Sequence, residues 1–340
     1  MRALSCVMPE AQTRRHEPNV VLRDGDEALF RCERCDAFGY LDSSEERLIV
    51  GGELFEADCP HDGPPRMTAL TFLAILIALS VALALVMSGA WLAWRSTRNS
   101  GWIDTTWTFG LGAVGCVGAL APSLWSGGIT ARQALVAVLI VIWAVRLGVH
   151  IAKRTSGIKD DPRYGKMVAG WGGDASRQMF LLAEKQAFVS IPLALAIVLA
   201  AWNPLPGLRV QDGLGVLVLV IAVAGEGVAD AQLRRFRADL SNSGKVCDAG
   251  LWGWSRHPNY FFEWFGWLAY PLLAIDFSGV YPWGFAALLG PACMYWLLVY
   301  ISGIPPLEAH MLERRGEAFG AYQARTSAFF PVPPRGLSRK

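Results

Sequence analysis

From residue 67 onward the chain alternates long apolar stretches with shorter polar loops. The stretches cover about 69–94, 103–121, 131–151, 187–202, 211–230, 260–277 and 281–303. Most match the length of a bilayer-spanning helix and lack the polar face of a soluble amphipathic one. The pattern predicts an all-α fold, a polytopic integral membrane bundle of about seven transmembrane helices. The fourth stretch is short and the last two are joined by a tight turn, so a re-entrant or tilted pair is the alternative there. After residue 303 the pattern changes. Leu307, Met311, Phe319 and Tyr322 recur on one side of a charged segment, which predicts a C-terminal helix lying in the membrane interface.

The loops alternate in charge. Arg95 and Arg98 follow the first stretch, and Lys153, Arg154, Lys159, Arg163, Lys166, Arg177 and Lys185 lie between the third and fourth. Arg234, Arg235, Arg237, Lys245 and Arg256 lie between the fifth and sixth, and six more cations follow the seventh, whereas the other three loops hold only Arg132 and Arg209. By the positive-inside rule the basic loops and the C-terminus are cytoplasmic and the N-terminus is outside.

Residues 1–66 break this pattern. They hold 14 acidic residues against 8 arginines and no apolar run long enough to insert. Cys32-x-x-Cys35 with Cys59-x-His61 has some of the spacing of a zinc ribbon, although Cys59-Pro60-His61 makes a poor second knuckle. The preferred reading takes Met67 as the functional start and 1–66 as a dispensable or misassigned extension; the zinc site is the alternative. Residues 67–340 then form the membrane domain.

Composition agrees. The chain is 53% hydrophobic with a mean hydropathy of +0.32, 14 tryptophans and 18% charged residues, against about a quarter charged in a soluble domain. A net charge of +2 gives no reason to expect a nucleic-acid partner. Membrane lipids are the expected surroundings. Seven scattered cysteines suggest no disulfide framework.

The most informative polar residues sit at the rims of apolar stretches, where ionisable groups are costly. Arg256-His257-Pro258-Asn259-Tyr260 precedes the sixth stretch, with Glu263 one turn on. Pro258 suits a first helical turn, and the free N–H groups there, with Arg256 and His257, make an anion site suited to a phosphate. A cationic anchor at the lipid headgroups is the plainer alternative. Glu226, Asp230 and Arg234 at i, i+4, i+8 share a helix face, either as an internal ladder or as a place to hold a ribose hydroxyl. Asn242-Ser-Gly-Lys245 and Gly250-Leu-Trp252 link that face to Arg256. Arg146, His150 and Arg154 repeat the spacing on the third helix, and Asp104 opens the second. As a set Asp104, Arg146 and His150 can polarise a carbonyl and deliver a proton; singly, each suits a contact between helices. Glu308 follows the last stretch and is placed to close over the same pocket.

These motifs, Arg146-Leu-Gly-Val-His150-x₃-Arg154, Glu226-x₃-Asp230-Ala-Gln232-Leu-x-x-Phe236, Gly250-Leu-Trp252-x-x-Ser255-Arg-His-Pro-Asn-Tyr260-x-x-Glu263-Trp264 and Ser302-Gly-Ile-Pro305-x-x-Glu308, resemble the bacterial DUF1295 membrane proteins, grouped with the steroid 5-alpha-reductase C-terminal superfamily. The resemblance covers roughly 70–335. It implies a reductase of the bacterial inner membrane that transfers hydride from NADPH to a polarised carbon–carbon double bond of a lipophilic substrate. It places the cofactor against Asp230, Asn242, Arg256, His257, Asn259, Tyr260, Glu263 and Glu308. A 2′-phosphate would want a further cation, with Lys245, Arg234 and Arg237 as candidates. The competing reading is a methyltransferase like the isoprenylcysteine carboxyl methyltransferases, which share an Arg-His-Pro-x-Tyr element and bind S-adenosylmethionine. Only part of their tail motif is kept here, in Phe319-Gly-Ala-Tyr322. No internal repeat points to a transporter.

Overall fold

The computed structural model describes residues 18–24, 27–32, 38–42, 47–50, 53–54, 68–126 and 128–334. The chain divides into two compact units, Met1–Arg66 and Met67–Lys340.

The first unit corrects the all-α expectation for this part of the chain. It contains a five-stranded antiparallel meander, β1 (Pro18–Asp24), β2 (Glu27–Cys32), β3 (Phe38–Asp42), β4 (Arg47–Val50) and β5 (Glu53–Leu54), paired in chain order. Asp24 pairs with Glu27 and Val50 with Glu53. Cys32 ends β2; Cys35, Cys59 and His61 lie outside the described residues, so the zinc expectation has no geometry to meet.

The second unit is helical: α1 (Ala69–Thr97), α2 (Gly101–Leu120), a single turn α3 (Ser123–Ser126), α4 (Ala131–Ser156), α5 (Pro162–Trp171), α6 (Ala175–Ala201) and α7 (Val210–Ala238). There follow α8 (Pro258–Trp267), α9 (Ala269–Ala274), α10 (Leu289–Trp296), α11 (Ile304–Arg315) and α12 (Glu317–Arg325). Helix α1 shows why this is a membrane protein. Ile75, Leu79, Leu83 and Met87 are buried at four-residue intervals, yet Leu73, Ile77, Val81 and Leu85 on the opposite side are exposed. A helix apolar all round needs an apolar solvent. Helix α6 is the centre, with residues 193–201 all buried. Helices α2 and α4 approach closely through small residues: a Cβ on Gly112 would lie 2.4 Å from that of Ala144, and one on Gly148 would strike the Phe109 ring. In lipid such close backbone packing replaces the hydrophobic drive between helices.

Among the described residues five helical stretches are long and apolar enough to cross a membrane: Ala69–Thr97, Ala131–Ser156, Met167–Ala201, Val210–Ala238 and Pro282–Arg315. The expected count of seven is not confirmed by them. Helix α2 has 20 residues, but Asp104, three threonines and five glycines dilute it. The sixth stretch breaks in two at Leu268, between α8 and α9. Pro271 explains the break, because it offers no N–H to the carbonyl four residues back and its ring crowds that carbonyl. The last stretch stays continuous only by changing pitch, from a 3₁₀ segment (Pro282–Leu288) through α10 to a π turn (Leu297–Ile301). There Gly303 packs so close that a Cβ would lie 2.4 Å from the Leu298 carbonyl oxygen.

Candidate functional site

Helix α4 places Arg146, His150 and Arg154 on one face by their four-residue spacing. Helix α7 presents Glu226 and Asp230 to that face. The Arg146 guanidinium forms an ion pair with Glu226 and donates from Nη2 to Asp230 Oδ2 at 2.8 Å. His150 Nδ1 lies 3.8 Å from the same oxygen. Contacts that advance together along α4 and α7 mean that the two helices run in the same direction. Glu226 and Asp230 do form a ladder, as their spacing suggested, but its arginine is Arg146 from across the interface.

Behind this pair lies Glu263, only 8% exposed on α8. Its carboxylate accepts the indole N–H of Trp143 at 3.0 Å and that of Trp267 at 3.0 Å. Burying a charge is tolerable only with such partners. Three buried carboxylates thus surround one arginine, with His150 half-exposed at the edge. The Tyr270 hydroxyl, also within Glu263's electrostatic reach, is buried without a hydrogen-bond partner among the described residues. The two indoles were not singled out as site residues; a tryptophan in an apolar run looks like lipid-facing bulk until its N–H is seen to point inward. Asp104 belongs elsewhere. It accepts from Tyr164 Oη at 2.9 Å, and Tyr164 in turn accepts from Gln186, in a contact among α2, α5 and α6.

The Arg256 cluster departs from the expectation of a free anion site. Arg256 donates from Nε to Glu308 Oε1 at 2.7 Å and from Nη2 to Oε2 at 3.2 Å, and Nη1 serves the carbonyls of Gln323 and Thr326. Four of its five N–H groups are therefore committed to the C-terminal segment. Glu308 also holds His257 Nε2 at 2.9 Å and Gln323 Nε2 at 2.7 Å. Burial pushes the His257 imidazole below its ordinary range, Glu308 opposing, so the ring is neutral at pH 7. With Nε2 facing a carboxylate, Nε2 carries the proton and Nδ1 is an acceptor; that Nδ1 is buried without a partner among the described residues. Tyr260 stacks on the ring at 5.5 Å, and Asn259 sits beside it on the first turn of α8. Asn242 donates to the Phe236 carbonyl at 3.2 Å, closing the turn after α7. Glu308 was expected at this pocket, but the carbonyls of Gln323 and Thr326 could not be foreseen, since they lie 67 and 70 residues from Arg256.

A family model described as a protein of unknown function, DUF1295, matches residues 90–326. The chain belongs to the DUF1295 family. No curated protein and no solved structure matches it. The matched span takes in every residue of the two clusters just described, and leaves out residues 1–66.

Within this DUF1295 domain the Gly250-Leu251-Trp252 motif has a mechanical explanation. Gly250 adopts φ +60°, and a Cβ there would lie 2.6 Å from the Gln232 amide. Gln232 accepts the Leu251 N–H at 3.0 Å, and Trp252 donates its indole N–H to the Ala229 carbonyl at 2.9 Å. Tyr322 Oη then donates to the Trp252 carbonyl at 2.5 Å. The loop is thereby pinned to α7 on one side and to α12 on the other. An open recess of about 420 Å³ lies outside it, lined by Val228, Gln232, Gly250, Leu251, Trp254 and Pro331.

Proposed function

We propose that this DUF1295 protein is an integral-membrane, NADPH-dependent reductase acting on a carbon–carbon double bond of a lipophilic enone, such as a steroid- or isoprenoid-like lipid drawn from the bilayer. The observation that carries the reading is the Arg146–Glu226–Asp230 cluster with His150 at its edge, because ionisable groups inside membrane helices are rare and serve function. The residues present fit a dinucleotide in part. His257 Nδ1 is a buried acceptor awaiting a donor, and Asp230, Asn242, Asn259 and Tyr260 lie around the same ends of α7 and α8. Glu263 and Glu308 are engaged with indoles and with the tail, and Arg256 has little left to offer a phosphate.

A bound nicotinamide supplies the hydride. The chain's own part is electrostatic and protonic. Arg146, fixed by two carboxylates, presents a positive charge toward which an enone oxygen is drawn as it gains charge. We assign delivery of the proton to the carbon next to the carbonyl to His150, at the edge of the cluster, or to one of the carboxylates beside it. The surrounding helices exclude water. We place the protein in the bacterial inner membrane, C-terminus cytoplasmic and N-terminus outside, from the distribution of basic residues.

The test is binding by the full chain in detergent, followed by tryptophan fluorescence, with NADPH, NADH and S-adenosylmethionine as separate ligands. Saturable NADPH binding, weakened in Asp230→Asn and His257→Ala, is the expected result. Saturation by S-adenosylmethionine alone would transfer the protein to the methyltransferases. No binding by any of the three would leave both clusters with a purely structural task.

A further inference from the structure

Helix α7 has two faces of opposite character. Glu226 and Asp230 lie on the one turned to Arg146 of α4. On the other, Leu214, Leu217, Ile221, Val228, Gln232 and Arg235 recur at intervals of three, four and seven residues, which keeps them in one narrow stripe. The four apolar members are between 44% and 53% exposed. On a helix long and apolar enough to cross a membrane, such a face meets hydrocarbon. Arg235, in the last turn, is exposed, and the stretch between Asp230 and Asp239 holds three arginines and no acid.

Beside Val228 and Gln232 the stripe opens into the recess of about 420 Å³, whose other walls are Gly250, Leu251, Trp254 and Pro331. These walls are fixed by the fold. Gln232 Oε1 holds the Leu251 N–H at 3.0 Å, and the Val332 N–H donates to the Trp254 carbonyl at 3.2 Å. Water needs two or more polar partners to settle in a cavity, and among these side chains only Gln232 has a polar group beyond the indole N–H of Trp254. Hydrocarbon is the better filling. With its Oε1 engaged, Gln232 keeps its amide NH₂ as a donor.

We infer that the stripe and the recess bind an anionic glycerophospholipid of the bilayer. Its fatty chain lies against Ile221 and Val228 and fills the recess, an ester carbonyl accepts from Gln232, and the phosphate meets Arg235. The order along the helix carries the assignment: apolar side chains, then an amide donor, then a cation, as a glycerophospholipid presents chain, ester and phosphate. At 1.5 Å per residue Gln232 stands about 6 Å beyond Val228, and Arg235 about 4.5 Å beyond Gln232. The fork of donors on a guanidinium suits phosphate oxygens. The site faces away from the Arg146 cluster and does not depend on the reductase reading.

Tryptophan quenching by brominated lipid tests this, with the full chain in phosphatidylcholine nanodiscs containing a rising fraction of phosphatidylglycerol brominated near the top of its chains. The difference between wild type and Trp254→Phe isolates the response of Trp254. The expected result is a Trp254 response that saturates, with brominated phosphatidylcholine giving only a rise in proportion to its amount. Arg235→Gln, a change at an exposed position, should raise the half-saturating fraction about five-fold, the equivalent of about 1 kcal/mol for one cation at an anionic surface. Val228→Phe, which fills the recess without changing charge, should remove the saturable response. Should that variant not fold, Arg235→Gln decides alone. A response in proportion to lipid for both headgroups, or one indifferent to Arg235→Gln, would mean ordinary bilayer solvent and overturn the inference. Release of the quenching by 4-cholesten-3-one, with no dependence on headgroup, would make the recess an entry for a lipophilic enone and overturn it equally.

Discussion

Replacing Arg146 by methionine tests the intramembrane cluster most directly. The change keeps much of the side-chain length and removes the charge. It leaves the carboxylates of Glu226 and Asp230, at 9% and 10% side-chain exposure, without their common partner, and Glu263 close behind them. Breaking a buried ion pair from one side costs about 3–5 kcal/mol, mostly because the remaining charge stays buried. In a domain of this size 1 kcal/mol moves the midpoint by about 2 °C, so Arg146→Met should lower the Tm in detergent by about 6–10 °C. Removing the whole charged set should be far milder, because an ion cluster replaced by neutral groups of similar volume is often nearly neutral in stability. Arg146→Met with Glu226→Gln and Asp230→Asn should therefore recover most of the loss. That triple variant separates folding from chemistry: stable but unable to reduce an enone, it would mean that the cluster is kept for function. A midpoint for Arg146→Met within about 1 °C of wild type, or a triple variant less stable than the single one, would refute the reasoning.

Gly250→Ala should cost about 1–2 kcal/mol, the penalty of a left-handed backbone at a residue with a Cβ, read as a lowered Tm; an unchanged Tm would mean that the loop relaxes away from Gln232. Glu308→Gln takes the charge from beneath Arg256 and should cost about 2–3 kcal/mol, in the range of hydrogen bonds to charged groups, with faster tryptic cleavage after Arg325 as the sign of a loosened tail. His257 sets a pH dependence. Its imidazole is held below its ordinary value in the folded chain, so the unfolded chain binds the extra proton, and stability is full above about pH 6.5 and declines as pH falls below it. Tm followed from pH 7.5 to 5.5 should fall in the wild type and be flatter in His257→Gln; equal slopes would remove His257 as the cause.

The helices were legible because the bilayer imposes a length on apolar runs, and α1, α4 and α7 begin within one residue of where those runs begin, although α4 and α7 continue past their ends into polar sequence. The runs hid what happens inside them. Residues 260–277 carry only Glu263 and Asp276 among otherwise apolar or aromatic neighbours, and hydropathy gives no weight to Pro271, although one imino acid is enough to split the span into α8 and α9. The sheet of the first unit was overlooked for the opposite reason. Gly25-Asp26 and Gly51-Gly52 between short apolar runs are hairpin signals in the sequence, but the strands they separate are only two to seven residues long and interrupted by charges, so their alternation is weak. The candidate site divides along the same line. Four-residue spacing made Arg146, His150 and Arg154 one face and Glu226 and Asp230 another, since helical periodicity is local.

Partnership between faces is not local, and Arg256 shows it. An arginine ahead of a helix invites an anion, and only the folded chain brings Glu308 and the carbonyls of Gln323 and Thr326 to it. Arg256, with four of its five N–H groups held by Glu308 and the carbonyls of Gln323 and Thr326, is explained by the fold alone.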